Sequence, residues 1–172
     1  MKRLWQIVLY LTVAAIILLL VSNFSLNDLV GPKVNRAEYV FSRVIDGDTI
    51  EVEDAGEKMK VRLIGINSPE AYEFESRKIE CFGPEASNEA KRFFGDVARV
   101  WLVFDPNKSV DIYSRRLAYV EVNGRDFGTF MIKNGFAYEY TYQKESYTRQ
   151  VDYRKLEDKA RKDRVGLWAK CY

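Results

Sequence analysis

The residues of this 172-residue chain with the most to offer chemically are acids and arginines placed at turns. Asp46 and Asp48 flank Gly47 in "IDGDT", and "INSPE" sets Asn67, Ser68 and Glu70 around Pro69. Each cluster alone reads as a polar turn, because Asp, Asn, Ser, Gly and Pro are the residues turns favour. Together they read differently, since the strand-like residues between them form a hairpin that brings both turns to one end of a sheet. Asp48, Asn67 and Glu70 then present side-chain oxygens, and Ser68 its backbone carbonyl, to one point. An all-oxygen donor set suits a hard cation, calcium or magnesium, rather than zinc.

Two arginine positions complete the chemistry. In "VRLIGI", period-two alternation sets Arg62 on the face of Ile64 and Ile66. A guanidinium on a partly apolar face calls for an anion, because an unpaired buried charge is costly. The plain alternative is an edge-strand charge that opposes aggregation. In "DIYSRRLAYV", Arg115 and Arg116 point to opposite faces, so one is surface and the other is available to the same mouth as Arg62. A hard cation, two arginines and a glutamate together describe phosphodiester hydrolysis. The cation neutralises a non-bridging oxygen. The arginines grip the phosphate and stabilise the charge that grows on it, and Glu70 accepts a proton from the attacking water. The chain has no histidine, which removes the usual general base at neutral pH and the commonest transition-metal ligand. A net charge of +2 gives no strong field for duplex DNA, so the placement of charge must carry any nucleic-acid contact.

The elements that must position these residues are short. "YVFSRVI", "TIEVE" and "KMKVRLIGI" read as strands joined at Asp46-Gly47 and Asp54-Ala55-Gly56. A polar loop over 68–82 leads into a helix with Pro84 at its first turn. "RVWLVF" and "RRLAYVEV" are further strands, Asn123-Gly124 marks a hairpin, and "GTFMIKNG" is a short helix closed by Gly135. A last helix runs from about Tyr147 to Arg164, with Val151, Leu156 and Ala160 turned inward. The pattern predicts an α+β fold, a small closed barrel with helical supports.

Ahead of the barrel lies an apolar run from Leu4 to Val21, at the lower edge of a membrane-spanning length. Lys2 and Arg3 precede it and favour translocation of the remainder of the chain. The expected organisation is a transmembrane signal anchor over 1–22, a linker over 23–38 and a folded domain over 39–172 outside the cytoplasm, with cleavage as a signal peptide the alternative. Cys81 and Cys171 lack the spacing of a zinc site and, outside the cytoplasm, are expected to bridge, pinning the C-terminal tail to the loop–helix junction.

Taken in order, "IDGDT" at 45–49, "RLIGINSPE" at 62–70, "FGPEAS" at 82–87, "DIYSRRLAY" at 111–119, "IKNGFA" at 132–137 and "GLW" at 166–168 resemble the staphylococcal nuclease (thermonuclease) family over essentially all of 39–170. The resemblance implies a five-stranded OB-fold Greek-key barrel with three helices. It also implies calcium-dependent cleavage of DNA and RNA at the bond to the 5′ oxygen, leaving 3′-phosphate ends, by a chain expected to be monomeric and to prefer single strands. By motif position Arg62, Glu70 and Arg115 match the catalytic residues. Asp48 matches a calcium-ligand aspartate, Ser68 the residue that gives its carbonyl, and Tyr113 a tyrosine near the nucleotide phosphate. Tyr140 and Tyr142 resemble the base-side tyrosines after a one-residue slip. Two positions depart from the pattern: Asn67 replaces a calcium-ligand aspartate, which predicts weaker or altered metal binding, and Ile112 stands where a phosphate-contacting lysine is expected. The rival reading is the same barrel used to hold single-stranded nucleic acid or a protein partner without cutting it.

Overall fold

The structure, a computed structural model, describes residues 2–22, 35–73 and 78–172. Two compact units are present, Met1–Val34 and Asn35–Tyr172. In the first, α1 (Lys2–Ser22) carries the apolar run, with Trp5, Tyr10, Leu11 and Ile16 to Leu18 exposed. Among the described residues no helix is long and apolar enough to cross a membrane. The transmembrane span expected at 1–22 is therefore unsupported by the structure and rests on the amino-acid sequence alone. Most of the linker lies outside the described residues.

In the second unit, β1 (Arg36–Asp46), β2 (Thr49–Asp54), β3 (Glu57–Leu63), β5 (Arg99–Val103) and β6 (Arg116–Val122) form the barrel wall, in the order β3-β2-β1-β5-β6, while the short β4 (Ile66–Asn67) lies outside it. Parallel pairing of β3 with β6, Val61 opposite Arg116 and Leu63 opposite Ala118, closes the wall. β1 is the long strand and pairs with β2 over its second half and β5 over its first. Register shifts after Phe41 and Val44 give it the local twist that lets one strand serve both neighbours. Alternation places Ile50, Val52, Val61, Leu63, Val100, Leu102, Ala118 and Val120 in the buried interior. The turns at the ends of β2 and β6 put positive φ at both central residues, Ala55-Gly56 and Asn123-Gly124, the conformation tight hairpins demand.

The helices plug and brace the barrel. α2 (Gly83–Phe94) buries Ala86, Ala90 and Phe94 at helical spacing, and Phe94 stacks on Phe41 of β1 at 4.7 Å. β7 (Arg125–Asp126) leads into α3 (Phe127–Lys133), whose first turn is capped by the Asp126 carboxylate accepting from Thr129 N. α4 (Gln150–Lys162) turns Tyr153 and Ala160 inward while Val151 is exposed, so Tyr153 occupies the core position expected for Val151. A two-strand ladder of β4 with β8 (Tyr138–Glu139) and the short α5 (Leu167–Lys170) complete the fold.

Candidate active site

The turn Gly47-Asp48 sits where β1 hands over to β2, and its pairing partner across the sheet is the end of β3: Thr49 lies opposite Arg62. Leu63 N donates to the Asp48 carbonyl at 2.9 Å, which extends the β2–β3 ladder past Thr49. Asp48 is nearly buried, and its carboxylate spans the two turns: Oδ2 accepts from Ser68 N at 2.9 Å and Oδ1 from the Thr49 hydroxyl at 3.0 Å. Only glycine fits at 47, because a Cβ there would stand 2.1 Å from Ser68 Oγ. The hairpin thus brings "IDGDT" and "INSPE" into direct contact.

Arg62 closes this contact. Its Nη2 lies 3.0 Å from Asp48 Oδ2 and donates to Asn67 Oδ1 at 3.1 Å, while Nη1 donates to the carbonyls of Leu63 and Ile66 at 2.8 and 2.7 Å. Both side chains of the Arg62–Asp48 pair are about nine-tenths buried. Arg62 does not take the face that alternation assigns it. β3 ends at Leu63, and Gly65 at φ +80° turns the chain, so the alternation stops before Ile64 and Ile66. Arg62 shares no strand face with them; the turn wraps its carbonyls around the guanidinium instead.

Asp46 joins the same cluster. Its Oδ1 accepts from Asp48 N at 3.0 Å. Burial, then the neighbouring Asp48 charge, push its carboxyl up to about 7, only partly offset by that N–H and by Arg62. The folded protein therefore holds a proton here that the unfolded chain releases above pH ~4, so stability falls as pH rises toward 7 and the loss is complete above it. We expect wild-type protein in chelator to lose stability between pH 5 and pH 8 relative to Asp46→Asn, on the order of a few kcal/mol, seen as a falling melting temperature. Asn keeps the acceptor for Asp48 N, so parallel pH profiles for the two proteins would refute the assignment.

Glu70 is fixed through its backbone. Its N–H donates to Glu80 Oε2 at 3.1 Å, and Glu80 N returns a bond to the Glu70 carbonyl at 2.9 Å. Gly83 at the start of α2 packs on that carbonyl, and a Cβ there would come within 2.1 Å of the oxygen. Cys81, between Glu80 and Gly83, is bonded to Cys171 with Cα atoms 6.0 Å apart. Nothing in the local pattern around Glu80 announces its bond to Glu70, which needs the 68–82 loop to fold back on itself.

Arg115 stands apart from the Arg62 cluster. Its Nε donates to Asp111 Oδ2 at 2.6 Å, its N–H to Asp111 Oδ1, and its guanidinium lies 5.4 Å from the Tyr113 ring centre. Burial pushes Asp111 up, but the N–H groups of Arg115 and Tyr113 and the Arg115 charge prevail and hold it below the usual carboxylate range. The β3–β6 register sets Arg115 two positions before the partner of Arg62, roughly 7 Å along the wall and one strand over. Tyr113 is 74% exposed and available to a ligand. Tyr140 and Tyr142 are half exposed with ring centres 6.5 Å apart, and Tyr140 N donates to the Gly65 carbonyl, which seats the pair beside the turn that surrounds Arg62.

Among the described residues no three His, Cys, Asp or Glu side chains gather into a metal cluster. The oxygens gathered at the two turns are those of the Asp46 and Asp48 carboxylates and the Asn67 amide, with Ser68 joined to Asp48 through its N–H and one guanidinium on Asp48 and Asn67. This fits a hard cation whose remaining ligands are water or substrate oxygens, and it does not fit zinc.

Comparison with known proteins points the same way. The family model described as staphylococcal nuclease homologue matches residues 60–170, a span that holds Arg62, Asn67, Ser68, Glu70 and Arg115 and begins after Asp48. Endonuclease YncB of Bacillus subtilis is 34% identical over 129 residues, 74% of this chain and 60% of that protein. The SPbeta prophage-derived endonuclease YokF of the same organism is 31% identical over 134 residues, 77% of this chain and 44% of that protein. The thermonuclease of Staphylococcus hyicus is 32% identical over 135 residues, 78% of each chain. The chain thus spans 60% or less of the two Bacillus proteins and most of the staphylococcal one. With its closed barrel and its two joined turns, this chain belongs to the staphylococcal nuclease family.

Proposed function

We propose that this chain is a calcium-dependent phosphodiesterase that cuts DNA and RNA, with a preference for single strands, at the bond to the 5′ oxygen. The observation that carries the reading is the convergence of both turns on one guanidinium, Arg62 with Asp48 and Asn67. A bound hard cation supplies charge neutralisation at a non-bridging phosphate oxygen. The chain's own residues do the rest. Arg62 exchanges carboxylate and carbonyl acceptors for phosphate oxygens, Arg115 meets the same group from the start of β6, and Glu70 takes the proton from the attacking water. Tyr113 borders the phosphate, and Tyr140 and Tyr142 offer ring faces to unpaired bases.

A second reading, a barrel that binds single-stranded nucleic acid without cutting, is favoured by one observation: both arginines already hold protein carboxylates. The deciding experiment incubates the full chain with single-stranded DNA and RNA in calcium, magnesium or chelator. Calcium-stimulated cleavage leaving 3′-phosphate ends is expected, at a calcium midpoint raised by the missing charge at Asn67 and lowered in Asn67→Asp. Binding without cleavage in every metal would establish the second reading.

The apolar run of 4–21 and the Cys81–Cys171 bridge support a membrane-tethered domain outside the cytoplasm, where disulfides persist. Recovery of the chain in carbonate-washed membranes checks the tether.

A further inference from the structure

On the side of the barrel where the C-terminus packs, Tyr138, Arg161, Arg164, Trp168 and Tyr172 line a cleft of about 410 Å³. The size lies within the range of small-ligand sites, roughly 300–1,000 Å³. Its walls are aromatic faces and guanidinium groups. Tyr138 meets Trp168 edge-on at 5.3 Å, Tyr172 stacks on Trp168 at 5.2 Å, and Arg161 lies 4.4 Å over the Trp168 ring. Tyr172 is 74% exposed, so one ring face is open, and the Tyr138 and Tyr172 hydroxyls meet at 3.4 Å.

Charge decides which ligand these walls suit. Glu157 lies 3.7 Å from Arg161, and the Glu80 and Glu157 charges act on Tyr138. Among the described residues Arg164 has no acidic partner for its side chain. No acid lines the cleft itself, so its surface is cationic and aromatic, the combination that takes a phosphate and a base together. The cleft also adjoins the candidate active site: Tyr138 is the ladder partner of Asn67, whose amide accepts from Arg62. Trp168 Nε1, buried and without a hydrogen-bond partner, belongs to the same wall.

We propose that this cleft is an accessory site for one nucleotide of a single strand whose scissile bond lies at Arg62. Arg161 and Arg164 hold a phosphate, and the open face of Tyr172 stacks the base. The inference rests on the reading that the chain takes polynucleotides, so its test is made on binding as well as cleavage.

Full-length wild type, Arg161→Gln/Arg164→Gln and Tyr172→Ala are titrated in chelator with a fluorescent 20-nucleotide single strand and with a trinucleotide, after melting curves show that each is folded. For the 20-mer, Kd is expected to rise about five-fold or more in each variant. In the double variant the salt dependence falls by about 0.7 in log–log slope, the change expected when the one phosphate held by the two arginines is no longer neutralised. Trinucleotide affinity is expected to stay unchanged, and in calcium KM for the 20-mer rises while kcat holds. Equal 20-mer affinity in all three proteins overturns the proposal and leaves the cleft to an acidic protein segment. Equal losses for 20-mer and trinucleotide also overturn it, because they place the arginines at the scissile bond. Failure of the wild type to bind any polynucleotide would instead strike the functional reading on which the proposal rests.

Discussion

Glu70→Gln is expected to lower the cleavage rate by about 10²- to 10⁴-fold with little change in substrate affinity, as removal of a positioned base does. Glutamine keeps the shape and the backbone bonds with Glu80 while it changes proton affinity and charge. The effect belongs in kcat because the proton moves only in the transition state. Single-turnover cleavage of a 20-nucleotide strand in saturating calcium measures it, and equal rates for variant and wild type would remove Glu70 from the chemistry. Arg62 offers a contrast: Arg62→Lys keeps the charge but loses the planar fork that spans Asp48, Asn67 and two carbonyls. A loss at Arg62 therefore mixes folding with catalysis.

Much of this arrangement is legible in the chain before any coordinates. Asn123-Gly124 and Ala55-Gly56 carry the turn chemistry that tight hairpins demand, and both appear as two-residue turns with positive φ. The contact between Asp48 and Ser68 arises from a hairpin whose ends must meet, and Gly47 is the residue that permits it. The features that are not legible depend on contacts the local pattern does not encode. Alternation extended through "VRLIGI" assigns Arg62 the wrong face, because nothing in a period-two count registers the positive φ of Gly65. Asp46 looks like one more turn aspartate; its raised proton affinity comes from burial and from Asp48, both properties of the folded barrel. Glu80 grips Glu70 through contacts between the two ends of the loop, and Tyr153 rather than Val151 faces the core because it stands three and seven residues before Leu156 and Ala160, in helical phase with them as Val151 is not. The parallel β3–β6 closure likewise joins residues far apart in sequence.

Breaking the Cys81–Cys171 bridge is expected to have the largest effect on stability. The two residues are 90 apart in sequence, and closing a loop of that length stabilises by about 4–5 kcal/mol in the chain-entropy model. For a domain of this size the loss corresponds to a fall in melting temperature on the order of 10 °C. Cys81→Ser/Cys171→Ser should show it in calorimetry. Reductant should reproduce it in the wild type but leave the double variant unmoved. The location of the bridge gives the loss a functional side. Cys81 is next to Glu80, which holds the Glu70 backbone, and Cys171 packs against the small cluster of Ala160, Leu167 and Trp168 that backs the C-terminal cleft. Reduction should therefore lower kcat through the Glu70 loop and weaken binding of long single strands through the cleft, at temperatures where the barrel is still folded. A uniform loss that tracks only the unfolded fraction would mean the bridge acts on global stability and positions neither site.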